Sequence, residues 1–207
     1  MGPEGTWICT TPHGIKSYMG DTVKVITSTV KSGDRFTIGH QRRVAELACA
    51  IAQGMGLTSD QIHAIHIAGL VHDIGKARVP MEILIKPGRL DETEFSLVVS
   101  HCQAGYDMLK GVRFPWPVAD IVLQHHERMN GSGYPSGMCG DEISIEARIL
   151  GVADVVEAMT SHRPYRAALD IEKAMDELLQ NSGILYDPDA VCTCIKLFAG
   201  KGFRFEE

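Results

Sequence analysis

The chain has 207 residues, of which 44% are hydrophobic and 22% are charged, a composition typical of a globular protein. This length allows one large domain, or one domain with a short appendage. The formal net charge of −6 argues against a general nucleic-acid-binding protein, because such proteins carry a basic face. A small anionic substrate remains compatible with that charge, since bound metal ions can supply local positive charge. We therefore predict no DNA or RNA polymer as a partner.

Membrane and export signals are missing from the sequence. Every apolar stretch is interrupted by His, Gly, Asp or Arg, so none is long enough to cross a bilayer. Residues 1–21 lack the charged segment and apolar core of a signal peptide. Six cysteines lack the spacing of a disulfide framework or zinc ribbon: Cys9, Cys49, Cys102, Cys139, Cys192 and Cys194. Reduced thiols and a cytoplasmic location are therefore expected.

Helical periodicity dominates the first half of the chain. Residues 22–31 are predicted as a short leading helix. The run 39–55 is a stronger prediction, because its apolar residues recur at i, i+3, i+4 and i+7 before a glycine ends the pattern. A further helix is predicted over residues 60–71, with Ser59 as its N-cap.

The second half continues in the same way. Asp91 is predicted to cap a helix through residue 98, which His101–Leu109 continues, and residues 117–124 form a short apolar helix. Residues 127–141 contain four glycines and are predicted as a loop. Three more helices are expected at 144–160, Ile171–Gln180 and 187–199. The prediction is an all-α fold: one domain of about seven or eight helices over residues 22–207, preceded by an N-terminal tail or truncated linker at residues 1–21.

The dipeptide His72-Asp73 is the first candidate for chemistry. Neighbouring residues on a helix point about 100° apart, so the pair does not easily chelate one ion from one face but can serve two. A carboxylate has two oxygens and can bridge two metals, whereas an imidazole gives one nitrogen to one metal. Alone the dipeptide indicates little, because helices end in this way by chance.

Two other positions strengthen a metal interpretation. His125 and His126 are adjacent residues just before the glycine-rich loop. Two neighbouring imidazoles are poor residues for a hydrophobic core. Asp154 lies in an otherwise apolar helical segment, where an unpaired carboxylate is costly. A buried salt bridge or a capping role stays open for Asp154 at this point.

Three ordered blocks of sequence make the pattern specific. They are His72-Asp73-x-Gly75-Lys76, then His125-His126-Glu127-Arg128-x-Asn130-Gly131-x-Gly133-Tyr134-Pro135, then Val152-Ala153-Asp154 followed by Thr160-Ser161-x-Arg163-Pro164-Tyr165-Arg166. Together with Gly39-His40 and Arg43-Val44, these blocks closely resemble the HD-GYP family of bacterial cyclic di-GMP phosphodiesterases. The resemblance covers about residues 32–200, nearly the whole chain.

The resemblance implies a helical HD-type domain with a centre of two divalent transition-metal ions in its core. Two ligand sets would share one bridging carboxylate: His40, His72, Asp73 and Asp154 in the first, and Asp73, His101, His125 and His126 in the second. Some family members bind a third ion through a Glu four residues before the position of His40, where this chain has Phe36. Two ions are therefore expected, with iron or manganese preferred and zinc, cobalt or nickel compatible.

The resemblance also implies catalytic and substrate contacts. A hydroxide between the ions would attack the phosphodiester, with Asp73 bridging and Lys76 contacting the scissile phosphate or the leaving oxygen. Lys76 as a mere cation at a helix C-terminus remains an alternative. Expected substrate contacts are Tyr134, Arg163, Arg166, Asp34 and Glu157. For Tyr134 and the two arginines, packing on a neighbouring helix or a plain surface location stays open.

The function implied is hydrolysis of cyclic di-GMP to pGpG and onward to GMP. Phosphodiesterase activity on 3′,3′-cyclic GMP-AMP is an alternative, because no residue separates guanine from adenine recognition. A second alternative is a weakly active regulatory module that binds diguanylate cyclase domains through the Gly133-Tyr134-Pro135 loop. A nucleotide phosphohydrolase of the wider HD superfamily would explain His40, His72, Asp73 and Asp154, but not the downstream block.

Overall fold

This computed structural model describes residues 35–162, 168–200 and 202–205, with side chains from residue 39 onward. The regular structure within these ranges is helical. The helices are α1 (Arg35–Gly54), α2 (Ser59–Val71), α3 (Met81–Leu84), α4 (Glu92–Val99), α5 (His101–Leu109), α6 (Val118–Gln124), α7 (Ile145–Thr160), α8 (Ile171–Gln180) and α9 (Pro188–Gly200). Two 3-10 turns cover Ile74–Arg78 and Gly140–Glu142. Only isolated β-bridges occur within these ranges, so the all-α prediction is confirmed. None of the helices is long and apolar enough to cross a membrane.

The helix boundaries differ from the predicted ones in a few places. The N-cap of α2 is Thr58 rather than Ser59, because Thr58 accepts a hydrogen bond from Gln61 N while the Gln61 side chain accepts one from Thr58 N. Asp91 caps α4 as predicted, through the same reciprocal arrangement with Glu94. The single turn α3 was not predicted, since four residues are too few to show a period. The predicted helix over residues 22–31 and the tail before it lie outside the described residues.

The hydrophobic core forms where α1 packs against α2 and α7. The apolar residues that predicted α1 are fully buried there, including Val44, Leu47 and Ile51. Ile149 and Val152 of α7 are also fully buried against this face. Each large apolar side chain buried in this way contributes about 1.5–3 kcal/mol. The core thus holds α1, α2 and α7 in fixed positions; α1 carries His40, α7 carries Asp154 and α2 leads directly into His72.

A glycine allows helix α5 to pack closely against the chain just after α2. A Cβ atom built on Gly75 would lie 1.9 Å from the carbonyl oxygen of His101 and 2.6 Å from the nitrogen of Gly105. Only a residue without a side chain can occupy this position, because the contact is with the backbone of α5. The close approach places the start of α5 directly beside His72 and Asp73.

Candidate metal centre

The seven side chains predicted as metal ligands lie together in the interior. They are His40 on α1, His72 and Asp73 after α2, His101 at the start of α5, His125 and His126 after α6, and Asp154 on α7. The rings of His125 and His126 are 4.0 Å apart between centroids, and both lie within 5.4 Å of the His101 ring. Residues from five separate segments of the chain therefore meet in one cluster.

Asp73 lies at the middle of this cluster. Its Oδ2 atom is 3.7 Å from His40 Nε2 and 3.5 Å from His72 Nε2, whereas its Oδ1 atom is 3.6 Å from His101 Nε2. His40 Nε2 is also 3.3 Å from Asp154 Oδ1. Oδ2 of Asp73 thus faces His40 and His72, whereas Oδ1 faces His101. This is the arrangement that a bridging carboxylate requires.

Three of the histidines present the same nitrogen to the centre. The Nδ1 atoms of His72, His101 and His125 lie 2.8, 2.6 and 2.6 Å from the carbonyl oxygens three residues earlier, Gly69, Val98 and Val122. A carbonyl can only accept a hydrogen bond, so each Nδ1 carries the proton and each Nε2 keeps its lone pair. A backbone carbonyl behind the ring is the usual means of orienting a metal-binding histidine.

Three buried side-chain atoms at the centre have no hydrogen-bond partner among the described residues. They are His72 Nε2, His125 Nε2 and Asp73 Oδ1. Leaving a buried polar atom unsatisfied costs about 1–3 kcal/mol, which makes several such atoms in one place unfavourable unless a ligand binds there. Cations coordinated by imidazole and carboxylate would satisfy all of them. The residues present therefore fit metal ions.

The pKa values divide the histidines into two kinds. Burial lowers the pKa of His126 to about 3, and burial also holds the pKa of His125 and of His101 below the ordinary value. These rings are neutral at pH 7 and able to coordinate. For His40, burial favours the neutral ring, but hydrogen bonds with Asp154 and Glu157 outweigh it and raise the pKa to about 9. Among the protein's own charges, His40 balances the carboxylates around it.

Lys76 supplies the other positive charge at the centre. It lies in the 3-10 turn Ile74–Arg78, and its Nζ atom is 2.6 Å from Asp73 Oδ2. Burial alone would raise the pKa of Asp73, but the neighbouring Lys76 and the imidazoles hold it well below the ordinary value. The Lys76 side chain is 30% exposed, so the ammonium faces both the centre and the solvent. A substrate phosphate approaching Asp73 from solvent would meet this group.

Glu157 lies behind His40 rather than at the cleft. Its Oε2 atom forms a short hydrogen bond with His40 Nδ1, and its Oε1 atom accepts bonds of 2.8 and 2.5 Å from the Arg43 guanidinium and 2.6 Å from the Ser161 hydroxyl. The residue is fully buried. The sequence predicted Glu157 as a substrate contact. In this position its side-chain oxygens are all engaged, which favours a supporting role behind His40 instead.

The glycine-rich loop places Tyr134 at the edge of the centre. The Tyr134 ring lies 4.8 Å from the His126 ring, and Phe95 of α4 meets it edge-to-face at 6.1 Å. A Cβ atom on Gly133 would lie 2.5 Å from the His126 carbonyl oxygen, so only glycine allows the loop to approach this closely. The carboxylate of Glu127 accepts hydrogen bonds from the backbone nitrogens of Ser136 and Met138 and holds the loop in place.

Three residues at the centre were not singled out from the sequence. Glu127 is buried and anchors the loop, Phe95 is 51% exposed beside Tyr134, and Cys102 is buried with its Sγ atom 3.6 Å from His101 Nε2. Glu127 follows His126 in the sequence and Cys102 follows His101, so proximity to a predicted ligand was an available signal for these two residues. Phe95 has no such signal, because its proximity to Tyr134 arises only from the fold. The expected substrate contacts Asp34, Arg163 and Arg166 lie outside the described residues, and so does the side chain of Phe36.

Comparison with known proteins agrees with this geometry. Residues 24–190 match the family model described as HD domain. The chain is 38% identical over 173 residues to the cyclic di-GMP phosphodiesterase response regulator RpfG of Xanthomonas campestris pv. campestris, covering 83% of this chain and 46% of that protein. It is also 38% identical over 152 residues to 3′3′-cGAMP-specific phosphodiesterase 1 of Vibrio cholerae, covering 73% of this chain and 35% of that protein. The chain thus spans less than half the length of these two relatives.

A solved structure shares the fold. Bd1817, a protein of Bdellovibrio bacteriovorus described as HDG"Y"P, superposes with a TM-score of 0.67 at 19% identity, covering 87% of this chain and 61% of that one. At this identity the superposition establishes the helical architecture alone. The family match, by contrast, covers most of the sequence and contains every residue of the centre described above. The chain therefore belongs to the HD domain family, within its HD-GYP group.

Proposed function

We propose that this chain is a metal-dependent phosphodiesterase that hydrolyses cyclic di-GMP to pGpG. The observation that carries the proposal is the position of Asp73, whose Oδ2 atom lies 3.5–3.7 Å from the His72 and His40 nitrogens and whose Oδ1 atom lies 3.6 Å from the His101 nitrogen. Two ions about 3.5–4 Å apart form the arrangement that phosphatases and nucleases use for in-line displacement at phosphorus. A single carboxylate between two nitrogen-rich ligand sets is suited to hold such a pair.

Two divalent ions would be held by the predicted ligands. His40, His72, Asp73 and Asp154 would bind the first, and Asp73, His101, His125 and His126 the second. When bound, such ions acidify a water molecule and stabilise charge on both the attacking and the leaving oxygen. The mixture of imidazole and carboxylate donors is compatible with iron or manganese, which we propose as the native pair, and with zinc, cobalt or nickel.

The protein's own groups would orient the substrate and stabilise charge on it. Lys76 would donate to a non-bridging or leaving oxygen of the phosphodiester, since its ammonium lies 2.6 Å from Asp73 and faces solvent. Tyr134 and Phe95 would hold a purine base at the edge of the centre, because their rings are adjacent and Phe95 is 51% exposed. The carbonyls of Gly69, Val98 and Val122 would keep three imidazoles in the coordinating tautomer.

The relatives differ in the purine bases of the dinucleotides for which they are named. One relative is named for cyclic di-GMP and another, at the same 38% identity, for 3′3′-cGAMP. We propose cyclic di-GMP as the principal substrate and 3′,3′-cyclic GMP-AMP as the second candidate. Both present the same phosphodiester to the centre, so the chemistry above serves either one. Cleavage of pGpG onward to GMP would use the same groups.

The test is hydrolysis of each dinucleotide by protein loaded with metal. Products separated by chromatography should include pGpG from cyclic di-GMP, and the double variant His72→Ala/Asp73→Ala should yield none. Lys86→Met is a control, because the Lys86 side chain pairs with the Glu94 carboxylate at the surface. Failure of the loaded protein to cleave either dinucleotide would exclude the proposed activity.

A regulatory role through the Gly133-Tyr134-Pro135 loop is a separate possibility, in which the loop binds diguanylate cyclase domains. In this structure Tyr134 packs between His126 and Phe95, so its ring is directed to the centre. This contact favours a substrate role for the ring over a partner role. A Tyr134→Ala variant that keeps its metal and its turnover but loses cyclase binding would reverse that preference.

A further inference from the structure

We propose that Cys102 is a further ligand of the second metal ion, so that this ion is bound by a thiolate as well as by Asp73, His101, His125 and His126. The inference rests on the proposed metal centre and adds to it a soft donor that the motif does not supply. It would make the two ion sites chemically different, one with imidazole and carboxylate donors alone and the other with sulfur.

The distances fit a single ion. One donor atom from each of His101, Cys102, His125 and His126 lies within 4.8 Å of the others, and Cys102 Sγ is 3.6 Å from His101 Nε2. Zinc binds sulfur at about 2.3 Å and imidazole nitrogen at about 2.0–2.1 Å, so a sulfur and a nitrogen at a tetrahedral angle on one ion are separated by roughly 3.5 Å. The observed separation therefore needs little adjustment to accept an ion.

A second observation points to a ligand at the same place. His125 is completely buried, and its Nε2 atom has no hydrogen-bond partner in the described part of the chain. His101 has its Nδ1 held by Val98 O, which leaves Nε2 directed to the interior beside the sulfur. An orphaned nitrogen, an oriented nitrogen and a buried sulfur thus converge. Nothing in the hydrophobic core requires this arrangement.

The surroundings of Cys102 also differ from those of the other buried thiols. Cys49 and Cys194 belong to the hydrophobic core cluster, where a thiol acts as a small apolar side chain. Cys102 is equally buried but is in contact with an imidazole rather than a member of that cluster. Cys194 is therefore a matched control for a thiol that is buried and does not bind metal.

A thiolate ligand has consequences for metal selection. On binding, the sulfur–hydrogen bond is broken, the proton passes to solvent and the sulfur donates an electron pair to the ion, with no change of oxidation state. Soft sulfur donors favour zinc, cobalt and iron over magnesium and calcium. The second ion should accordingly resist exchange more strongly than the first.

The test uses cobalt(II), because thiolate coordination produces a sulfur-to-cobalt charge-transfer absorption in the near ultraviolet that imidazole and carboxylate do not. The full chain and the variants Cys102→Ala, Cys102→Ser and Cys194→Ala are loaded with two equivalents of cobalt. We expect the band in the parent protein and in Cys194→Ala, and its loss in both Cys102 variants. Cobalt affinity at one site of those variants should fall by about tenfold or more.

Two outcomes would overturn the inference. If the parent protein binds cobalt without the band, Cys102 is not a ligand although the metal centre stands, and if no cobalt binds, the centre itself fails. Should the Cys102 variants not fold, X-ray absorption of the zinc-loaded parent protein decides the question. One sulfur at about 2.3 Å from zinc is expected there, and nitrogen and oxygen alone would contradict it.

Discussion

Lys76 Nζ lies 2.6 Å from Oδ2 of Asp73, so the ammonium and the proposed bridging carboxylate form an ion pair at the boundary between the centre and solvent. The pair spans three residues of the chain and is fixed by the 3-10 turn that follows α2. An ammonium held beside a bridging carboxylate is also within reach of a phosphate that approaches the same carboxylate. We therefore propose phosphate contact as the role of Lys76, in addition to neutralising a helix end.

Replacing Lys76 by Met should lower hydrolysis without removing the metal. Loss of one donor to a developing oxyanion costs roughly 100- to 1,000-fold in kcat, and a comparable loss is expected here. Steady-state kinetics on cyclic di-GMP and elemental analysis of the same preparation check this. Lys86→Met is the control and should behave as the parent. If Lys76→Met lost its metal in step with its activity, the lysine would be a structural group of the centre instead.

Glu157→Gln should weaken the binding of the metal ion that His40 is proposed to hold. The change removes the charge that holds His40 Nδ1 and leaves the Arg43 guanidinium with a poorer partner. Loss of such a supporting group typically costs 10- to 100-fold in metal affinity, roughly the decrease expected here in a chelator competition assay. Glu46→Gln, which alters a surface pair with Arg42, is the control. A raised KM with unchanged metal affinity would instead support the substrate contact predicted from the sequence.

Gly75→Ala should disrupt the centre through the backbone. The added methyl group would lie 1.9 Å from the His101 carbonyl oxygen, and helix α5 must move away to accept it. We expect a loss of more than about 4 kcal/mol in the free energy of unfolding, measured by urea denaturation, together with loss of metal. Gly111→Ala is the control, since nothing lies within 4 Å of a Cβ atom there. A Gly75→Ala protein of parental stability would show that α5 is not held by this contact.

Much of the fold and of the ligand set could be predicted from the sequence, for identifiable reasons. The helix periods of α1 and the reciprocal cap at Asp91 are local properties, and the histidines stand in ordered motifs. Glu157 is different: the resemblance implied a substrate contact, and the fold brings its carboxylate to Arg43 and His40 on α1, more than 110 residues earlier in the chain. Phe95 likewise acquires its significance only from Tyr134, which the fold brings to it.

Phe95→Ala should weaken binding of the dinucleotide but not the chemistry. Stacking of a base on an aromatic ring contributes about 1–3 kcal/mol, so KM for cyclic di-GMP should rise roughly 5- to 150-fold. Hydrolysis of bis(p-nitrophenyl) phosphate, which has no purine, should be unchanged. Leu97→Ala is the control, because Leu97 is an exposed apolar residue on the same helix. An equal loss of activity on both substrates would show that Phe95 supports the metal centre and does not contact the purine base.

The most direct test of a two-metal phosphodiesterase centred on Asp73 is metal stoichiometry determined with turnover on the same sample. The protein is purified without air, its metal content is measured by elemental analysis, and pGpG formation from cyclic di-GMP is followed before and after chelation. We predict two ions per chain, hydrolysis that is lost on chelation and restored by added metal, and neither metal nor activity in His72→Ala/Asp73→Ala. Hydrolysis that survives complete removal of metal, or three fully occupied sites with protein ligands, would contradict this account.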